Sequence, residues 1–234
     1  MLGQVFLAPV KIRHLLFLSL FLQSFCLQAQ QGFRQQHAQA YQQALAHLEA
    51  NKALIRQHLP HKQAAAILAI GFPEMVRHHL LQDFIETKVL EALYTRYGST
   101  YADFSIGVFQ MKPSFIEDLE ALVLRYKLEK RHPILPKAQN STAQRQERIQ
   151  NLQDFGWQLR YLYAFYEVAQ KHFGQTEIAF LASAYNLGLH ASVAEVQAWQ
   201  KVAAFPKGRG KGRMAFVYGQ ISLEFYEEFG KKGF

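Results

Sequence analysis

The chain has 234 residues, of which 50% are hydrophobic and 19% are charged, and its formal net charge is +8. This composition excludes a disordered chain and predicts a compact body with a sizeable core. The single cysteine, Cys26, excludes both a disulfide framework and a cysteine-based metal site.

Residues 1–29 have the pattern of a secretory signal peptide. Lys11 and Arg13 precede an apolar run at 15–22, and Ala29 is a plausible cleavage point. The run is too short for a comfortable transmembrane helix, although an uncleaved anchor is an alternative. We therefore expect an exported protein of the bacterial cell envelope, periplasmic or secreted.

Export restricts the classes of binding partner that the basic charge can indicate. A basic exported protein suits an anionic polymer such as a cell wall or lipopolysaccharide. Nucleic acid is a weaker candidate because export removes the protein from it, and ordinary solubility also explains the charge. Lipid attachment at Cys26 is disfavoured because the preceding residue, Phe25, is bulky.

Apolar residues recur at helical spacing along the rest of the chain, and no strand-like alternation or internal repeat is present. This pattern predicts an all-α fold in one domain, residues 30–234, with little or no sheet. Pro73 is expected to end or kink a helix, and Ser114 with Glu117 resembles a capping box. A basic glycine-rich loop is predicted at 205–213. The predicted helices cover about 31–59, 62–72, 75–97, 114–129, 146–172, 176–187, 191–201 and 216–229.

Glu74 places a carboxyl group on a strongly apolar helix, at the end of Ala-Ile-Gly-Phe-Pro-Glu. If Ile70 and Phe72 desolvate this group, its pKa rises and it stays protonated at neutral pH. A protonated carboxyl group is what the donation of a proton to a glycosidic oxygen requires. The alternative is a solvated glutamate at a helix end.

Two later segments complete the pattern. The first is Ser-Ile-Gly-Val-Phe-Gln-Met-Lys-Pro at 105–113, in which Gly107 permits a close backbone approach or a positive φ and Gln110 offers a side-chain amide among apolar neighbours. The second is Ala-Ser-Ala-Tyr-Asn-Leu-Gly at 182–188.

In this order, the three segments resemble the motifs of the lysozyme-like superfamily, in particular soluble lytic transglycosylases and the related goose-type lysozymes. The resemblance implies a lysozyme-like helical domain with a substrate cleft and core motifs within 62–200. It implies cleavage of the β-1,4 bond between N-acetylmuramic acid and N-acetylglucosamine in peptidoglycan, with Glu74 as the catalytic acid and base and 1,6-anhydromuramoyl products. The substrate-binding residues that it implies are Gly107, Phe109, Gln110, Tyr185 and Asn186, with Asp103 as a further candidate.

The same resemblance implies a reaction without a metal or an organic cofactor, and we expect a monomer that binds peptidoglycan glycan strands. Several positions depart from the family pattern. Met75 stands where a serine usually follows the catalytic glutamate, Phe104 and Ser105 stand where a Gly-Ala pair is expected, and Leu187 replaces a small residue. The distance from Glu74 to Gln110 is also longer than in the family, which predicts an inserted helix at about 78–97.

Two other acids compete with Glu74 for the catalytic role. Glu86 and Glu91 are closer to the 105–113 segment, and Glu91 lies at nearly the usual distance. Glu91 is nevertheless in the middle of an unbroken predicted helix and lacks the preceding Ala-Ile pair. We therefore favour Glu74.

Asp103 leaves two enzymatic interpretations open. It could position a water molecule in a hydrolytic muramidase together with Glu74, or it could cap a turn through its side chain. A third possibility is a catalytically inactive wall-binding protein of the same fold. The histidines and acids of 78–86 do not have the spacing of a metal motif, so a solvated helix face is favoured there.

Overall fold

The computed structural model describes residues 32–80, 87–134, 140–206 and 214–230. The chain divides into two units, Met1–Ala38 and Gln39–Phe234. The expected signal peptide at 1–29 and most of the expected basic loop at 205–213 lie outside the described residues. No helix in the described ranges is long and apolar enough to cross a membrane.

The prediction of an all-α fold is confirmed. The described residues form eleven helices and no strand, and their only sheet-like contacts are two isolated bridges, Ile106 with Met111 and Phe205 with Met214. In chain order the helices are α1 (Phe33–Gln36), α2 (Ala38–Ala50), α3 (Lys52–His58), α4 (Ala64–Leu80), α5 (Thr87–Tyr97), α6 (Pro113–Arg125), α7 (Thr142–Gln153), α8 (Phe155–Phe173), α9 (Ile178–Leu187), α10 (Val193–Trp199) and α11 (Tyr218–Phe229).

Helix α4 is the centre of the larger unit. Its residues from Ile67 to Val76 are all buried, and it packs against α8, α9 and α11. A helix that is apolar on every side has to be enclosed by neighbours in this way. Gly71 allows the ring of Phe109 to lie close to the backbone of α4, since a Cβ at this position would be 2.6 Å from that ring. The ring of Phe72 stacks on Phe225 of α11, with centroids 4.1 Å apart.

Of the two effects expected of Pro73, ending the helix does not occur. Helix α4 continues through Pro73 to Leu80, so Glu74 lies within the helix and not at its end. Proline removes one backbone hydrogen bond and costs roughly 3 kcal/mol inside a helix. The burial of this apolar helix on three sides offsets that cost. In the turn before Pro73, the hydroxyl of Tyr218 donates a hydrogen bond to the carbonyl of Ile70 at 3.0 Å.

Several predicted helix boundaries also need correction. The single helix predicted at 31–59 consists of α1, α2 and α3, and the one at 146–172 is divided into α7 and α8. The division falls at Asp154, whose side chain accepts a hydrogen bond from the backbone of Trp157 at 2.8 Å and so starts a new helix. The capping box of Ser114 and Glu117 does not form, because α6 begins earlier, at Pro113.

Glu117 instead belongs to a buried polar network between α5, α6 and α7. Arg148 donates to both carboxylate oxygens of Glu120, at 2.9 and 2.7 Å, and to the hydroxyl of Tyr94 at 2.6 Å. Tyr94 in turn donates to Glu117 at 2.8 Å, and Asn140 accepts from Arg148 at 3.1 Å. The network holds the buried cation of Arg148 between three helices that follow one another in the chain.

Candidate active site

A cavity of about 620 Å³ opens beside the buried carboxyl group of Glu74, which is only 6% exposed. The cavity brings together side chains from all three sequence motifs, although the first and the third are more than 100 residues apart in the chain. The predicted site residues that line it are Glu74, Asp103, Gln110, Tyr185 and Asn186.

The environment of Glu74 has two opposing effects on its ionisation. Burial raises the pKa of the carboxyl group above its usual value, and this effect prevails. Arg77 opposes it by donating from Nη1 to Oε2 at 2.9 Å, and the side chain of Asn186 opposes it through a further hydrogen bond. Glu74 is therefore a desolvated acid held in a fixed orientation by two donors.

The loop between α5 and α6 is closed by the backbone pair of Ile106 and Met111, whose N–H groups donate to each other's carbonyls at 2.9 and 3.1 Å. The turn between them places Gln110 at a positive φ of 51°. Its amide donates to the carbonyl of Gly107 at 2.8 Å and its oxygen accepts from Arg77 at 3.4 Å. These contacts link Gln110 to Glu74 through one guanidinium group.

Gly107 and Phe109 are not among the residues that line the cavity. Phe109 is fully buried, and its ring stacks on Phe155 with centroids 5.8 Å apart. Gly107 adopts a φ of 72° against the side chain of Gln158, which also accepts a hydrogen bond from the backbone of Phe109 at 3.1 Å. Phe109 packs into the core and Gly107 packs against Gln158, so both residues stabilise the loop through contacts outside the cavity.

Tyr185 and Asn186 lie at the end of α9 and have different partners. The hydroxyl of Tyr185 donates to the carbonyl of Phe109 at 2.8 Å and so fixes the loop. Burial, together with the charge of Glu74, raises the pKa of Tyr185 well above its usual value, so the hydroxyl keeps its proton. Asn186 accepts from the indole N–H of Trp199 at 3.0 Å, which orients its amide towards Glu74.

Asp103 caps the start of α6 and also lines the cavity. One carboxylate oxygen accepts from the backbone N–H of Ser114 at 3.1 Å, and the other lies 3.3 Å from Nζ of Lys112. The carboxylate thus satisfies one of the free N–H groups at a helix N-terminus. Asp103 thus caps the helix that follows its loop, where the sequence suggested the cap of a local turn, and its carboxylate also lies at the cavity.

The alternative acids are placed elsewhere. Glu91 forms an ion pair with Lys88 at 2.9 Å and accepts from Gln153 at 2.6 Å, and it does not line the cavity of Glu74. Glu86 lies outside the described residues, as does Asp83. No group of side chains in the described part of the chain could hold a metal ion.

Sequence reasoning missed several residues of the cavity. Arg77 lies one helical turn after Glu74, so its spacing alone could have identified it as a partner. Asp118 on α6 pairs with Nε2 of His190 at 2.8 Å, and both residues line the cavity. Asp118 and His190 are far apart in sequence, and no local pattern predicts their contact.

Gly107→Ala is expected to lower the free energy of unfolding by about 2–5 kcal/mol. The added Cβ would overlap the amide of Gln158, so the hydrogen bond to Phe109 would be lost in addition to the cost of a positive φ. Denaturant unfolding measures this effect. Gly174→Ala is a matched control. Gly174 also has a positive φ, 64°, but a Cβ added there would meet no neighbouring atom within 4 Å. It should cost only about 1–2 kcal/mol, and equal losses in both variants would contradict the proposed role of the close contact.

A scan against protein-family models, a search of curated proteins and a search of solved structures found no match to the chain.

Proposed function

We propose that this protein is a lytic transglycosylase that cleaves the β-1,4 bond between N-acetylmuramic acid and N-acetylglucosamine in peptidoglycan. The observation that carries the proposal is the position of Glu74, a desolvated carboxyl group at a cavity that Gln110, Tyr185 and Asn186 also line. All four side chains are among those that the motif resemblance assigns to catalysis and substrate binding.

In the proposed reaction Glu74 acts first as an acid and then as a base. Its proton goes to the glycosidic oxygen as the bond to the departing sugar breaks. The resulting carboxylate then takes the proton of the muramoyl 6-hydroxyl, whose oxygen attacks the anomeric carbon and closes a 1,6-anhydro ring. A single carboxyl group suffices because the nucleophile belongs to the substrate and is already held close.

The neighbouring side chains have distinct parts in this proposal. Asn186, held by Trp199, orients Glu74. Tyr185 holds the loop at the carbonyl of Phe109. The amide of Gln110 lies at the cavity and is suited to hydrogen bonding with the N-acetyl group of a sugar. The reaction needs no metal or organic cofactor, and its substrate would place the protein in the cell envelope, consistent with the predicted signal peptide.

A hydrolytic muramidase is the second candidate, because the same cavity has carboxylates other than Glu74. Asp103 and Asp118 both line it. In an inverting hydrolase a second carboxylate activates water on the opposite face of the sugar. Both of these carboxylates already have a side-chain partner, Lys112 for Asp103 and His190 for Asp118, which is why we place this candidate second.

Digestion of purified peptidoglycan, followed by mass spectrometry of the released muropeptides, tests the proposal. We expect products with 1,6-anhydromuramoyl ends. Products with reducing ends would establish the hydrolase instead. Retention of the protein on peptidoglycan without any release would support a binding protein and contradict both enzymatic candidates.

The pH dependence of the reaction should report the environment of Glu74. Because burial raises the pKa of Glu74, the rate should fall on the alkaline side at a pH above the ordinary value of 4.5 for this group. Asn186→Ala removes a hydrogen bond that stabilises the ionised form, so the fall should move to still higher pH. Initial rates of muropeptide release between pH 4 and pH 9 measure this shift, and a move to lower pH would contradict it.

A further inference from the structure

Arg77 has donor groups at the cavity that no described residue of the chain uses. The residue lines the cavity, and 20% of its side chain is exposed. Its hydrogen bonds to Glu74 and Gln110 both come from Nη1. Within the described ranges, Nε and Nη2 donate to no other residue. Since a guanidinium group has five N–H donors in a planar fork, one edge of Arg77 is open to a ligand.

The open edge has the geometry that a carboxylate requires. The N–H groups of Nε and Nη2 are parallel, and a carboxylate accepts such a pair through its two oxygens. The other basic side chains at the cavity are less suitable. Lys112 is 51% exposed and paired with Asp103, and His190 is 85% exposed and paired with Asp118. Each of these two aspartates therefore already has a side-chain partner.

We propose that the Nε–Nη2 edge of Arg77 binds a carboxylate of the glycan substrate, directly beside Glu74. The identity of this ligand rests on the proposed function, because muramic acid carries such a group and N-acetylglucosamine does not. In peptidoglycan the carboxylate belongs either to the lactyl group of muramic acid or to the attached peptide.

This contact would couple recognition to the chemistry. A bound carboxylate places a second negative charge near Glu74 and shares the positive charge of Arg77. Both effects favour the protonated form of Glu74, which is the form that donates a proton. A glycan without carboxylates would lack this effect as well as the binding contact.

The test compares two small sugars in a chain that cannot turn over substrate. In the Glu74→Gln variant, N-acetylmuramic acid should bind about tenfold more tightly than N-acetylglucosamine, as judged by nuclear magnetic resonance titration. The double variant Glu74→Gln/Arg77→Met should lose this difference. The glutamine substitution also removes the buried charge that would otherwise be left without a partner, so the double variant is expected to fold.

Glu74→Gln/Lys112→Met is the matched control, because it removes one positive charge from the same cavity but not the open edge. It should keep the preference for N-acetylmuramic acid. Equal affinities for the two sugars in Glu74→Gln, or the same loss of preference in both double variants, would overturn the proposal.

Intact glycan strands identify the source of the carboxylate. The binding of strands with and without peptides is compared before and after Arg77→Met, in the Glu74→Gln background. If the substitution weakens the binding only of strands freed of peptide, the carboxylate is that of the lactyl group. If it weakens the binding only of peptide-bearing strands, the carboxylate belongs to the peptide. Muropeptide release by the unmodified protein is measured separately. Absence of release with the sugar preference intact would contradict the proposed reaction alone, and release without the preference would contradict the carboxylate site alone.

Discussion

Glu74→Gln is expected to reduce muropeptide release by about 100- to 10,000-fold, the range that a positioned general acid contributes. Glutamine keeps the shape of the side chain but has no proton of suitable acidity to donate. The hydrogen bonds of Arg77 to Gln110 and of Asn186 to Trp199 do not depend on the carboxyl group. The thermal melting temperature should therefore change little.

Glu91→Gln is the control for this experiment. Glu91 is the acid that the motif spacing also permitted, but its partners are Lys88 and Gln153, away from the cavity. Its substitution should leave muropeptide release at the level of the unmodified protein. Full activity of Glu74→Gln, or loss of activity in Glu91→Gln, would show that the acid has been assigned to the wrong residue.

Arg148→Met is expected to lower the free energy of unfolding by about 3–5 kcal/mol, because it leaves the buried carboxylate of Glu120 without its cation. Arg148 and Glu120 are 3% and 6% exposed and share two hydrogen bonds. For a chain of this size the loss corresponds to a fall of about 6–20 °C in melting temperature. Chemical denaturation and calorimetry measure the two quantities.

The loss of unfolding free energy in Arg148→Met should become smaller at low pH. Burial already raises the pKa of Glu120, with Arg148 opposing the shift, and removal of the arginine would raise it further. The unfolded chain then binds fewer protons than the folded one, so acidification stabilises the folded variant. The difference between Arg148→Met and the unmodified protein should therefore shrink as the pH falls towards 4.

Arg131→Met is the matched control for the buried arginine. Arg131 also pairs with a glutamate, Glu167, at 2.7 Å, but its side chain is 63% exposed. A solvent-exposed pair contributes less than about 1 kcal/mol. If both substitutions cost the same, the buried network would not have the structural importance inferred for it.

The sequence alone was sufficient to predict the fold class and most of the helices. Apolar residues at helical spacing identified α9, α10 and α11 to within a few residues, because this periodicity is local and each residue contributes to it independently. The periodicity did not predict that α4 continues through Pro73 or that a helix boundary falls at Asp154. Whether a proline ends a helix depends on how much burial offsets the lost hydrogen bond, and a side-chain cap within a long apolar pattern leaves the periodicity unchanged.

The sequence also singled out Glu74 as an acid that its apolar neighbours would desolvate, and the structure buries it as expected. What only the tertiary structure decided is which groups share its cavity. Phe109 lies in the core and Gln110 at the cavity, although the two are adjacent in the motif. The side to which each loop residue turns is set by Gln158 and Tyr185, which come from helices far along the chain.

The ion pairs at the cavity differ in how far the sequence determines them. The pair of Glu74 and Arg77 is encoded within one helical turn, so the sequence determined it. The pair of Asp103 with Lys112 lies within the loop before α6, and the pair of Asp118 with His190 joins α6 to the loop after α9. Ion pairing depends on distances between side chains, and the second of these pairs is fixed only by the packing of segments that are far apart in sequence.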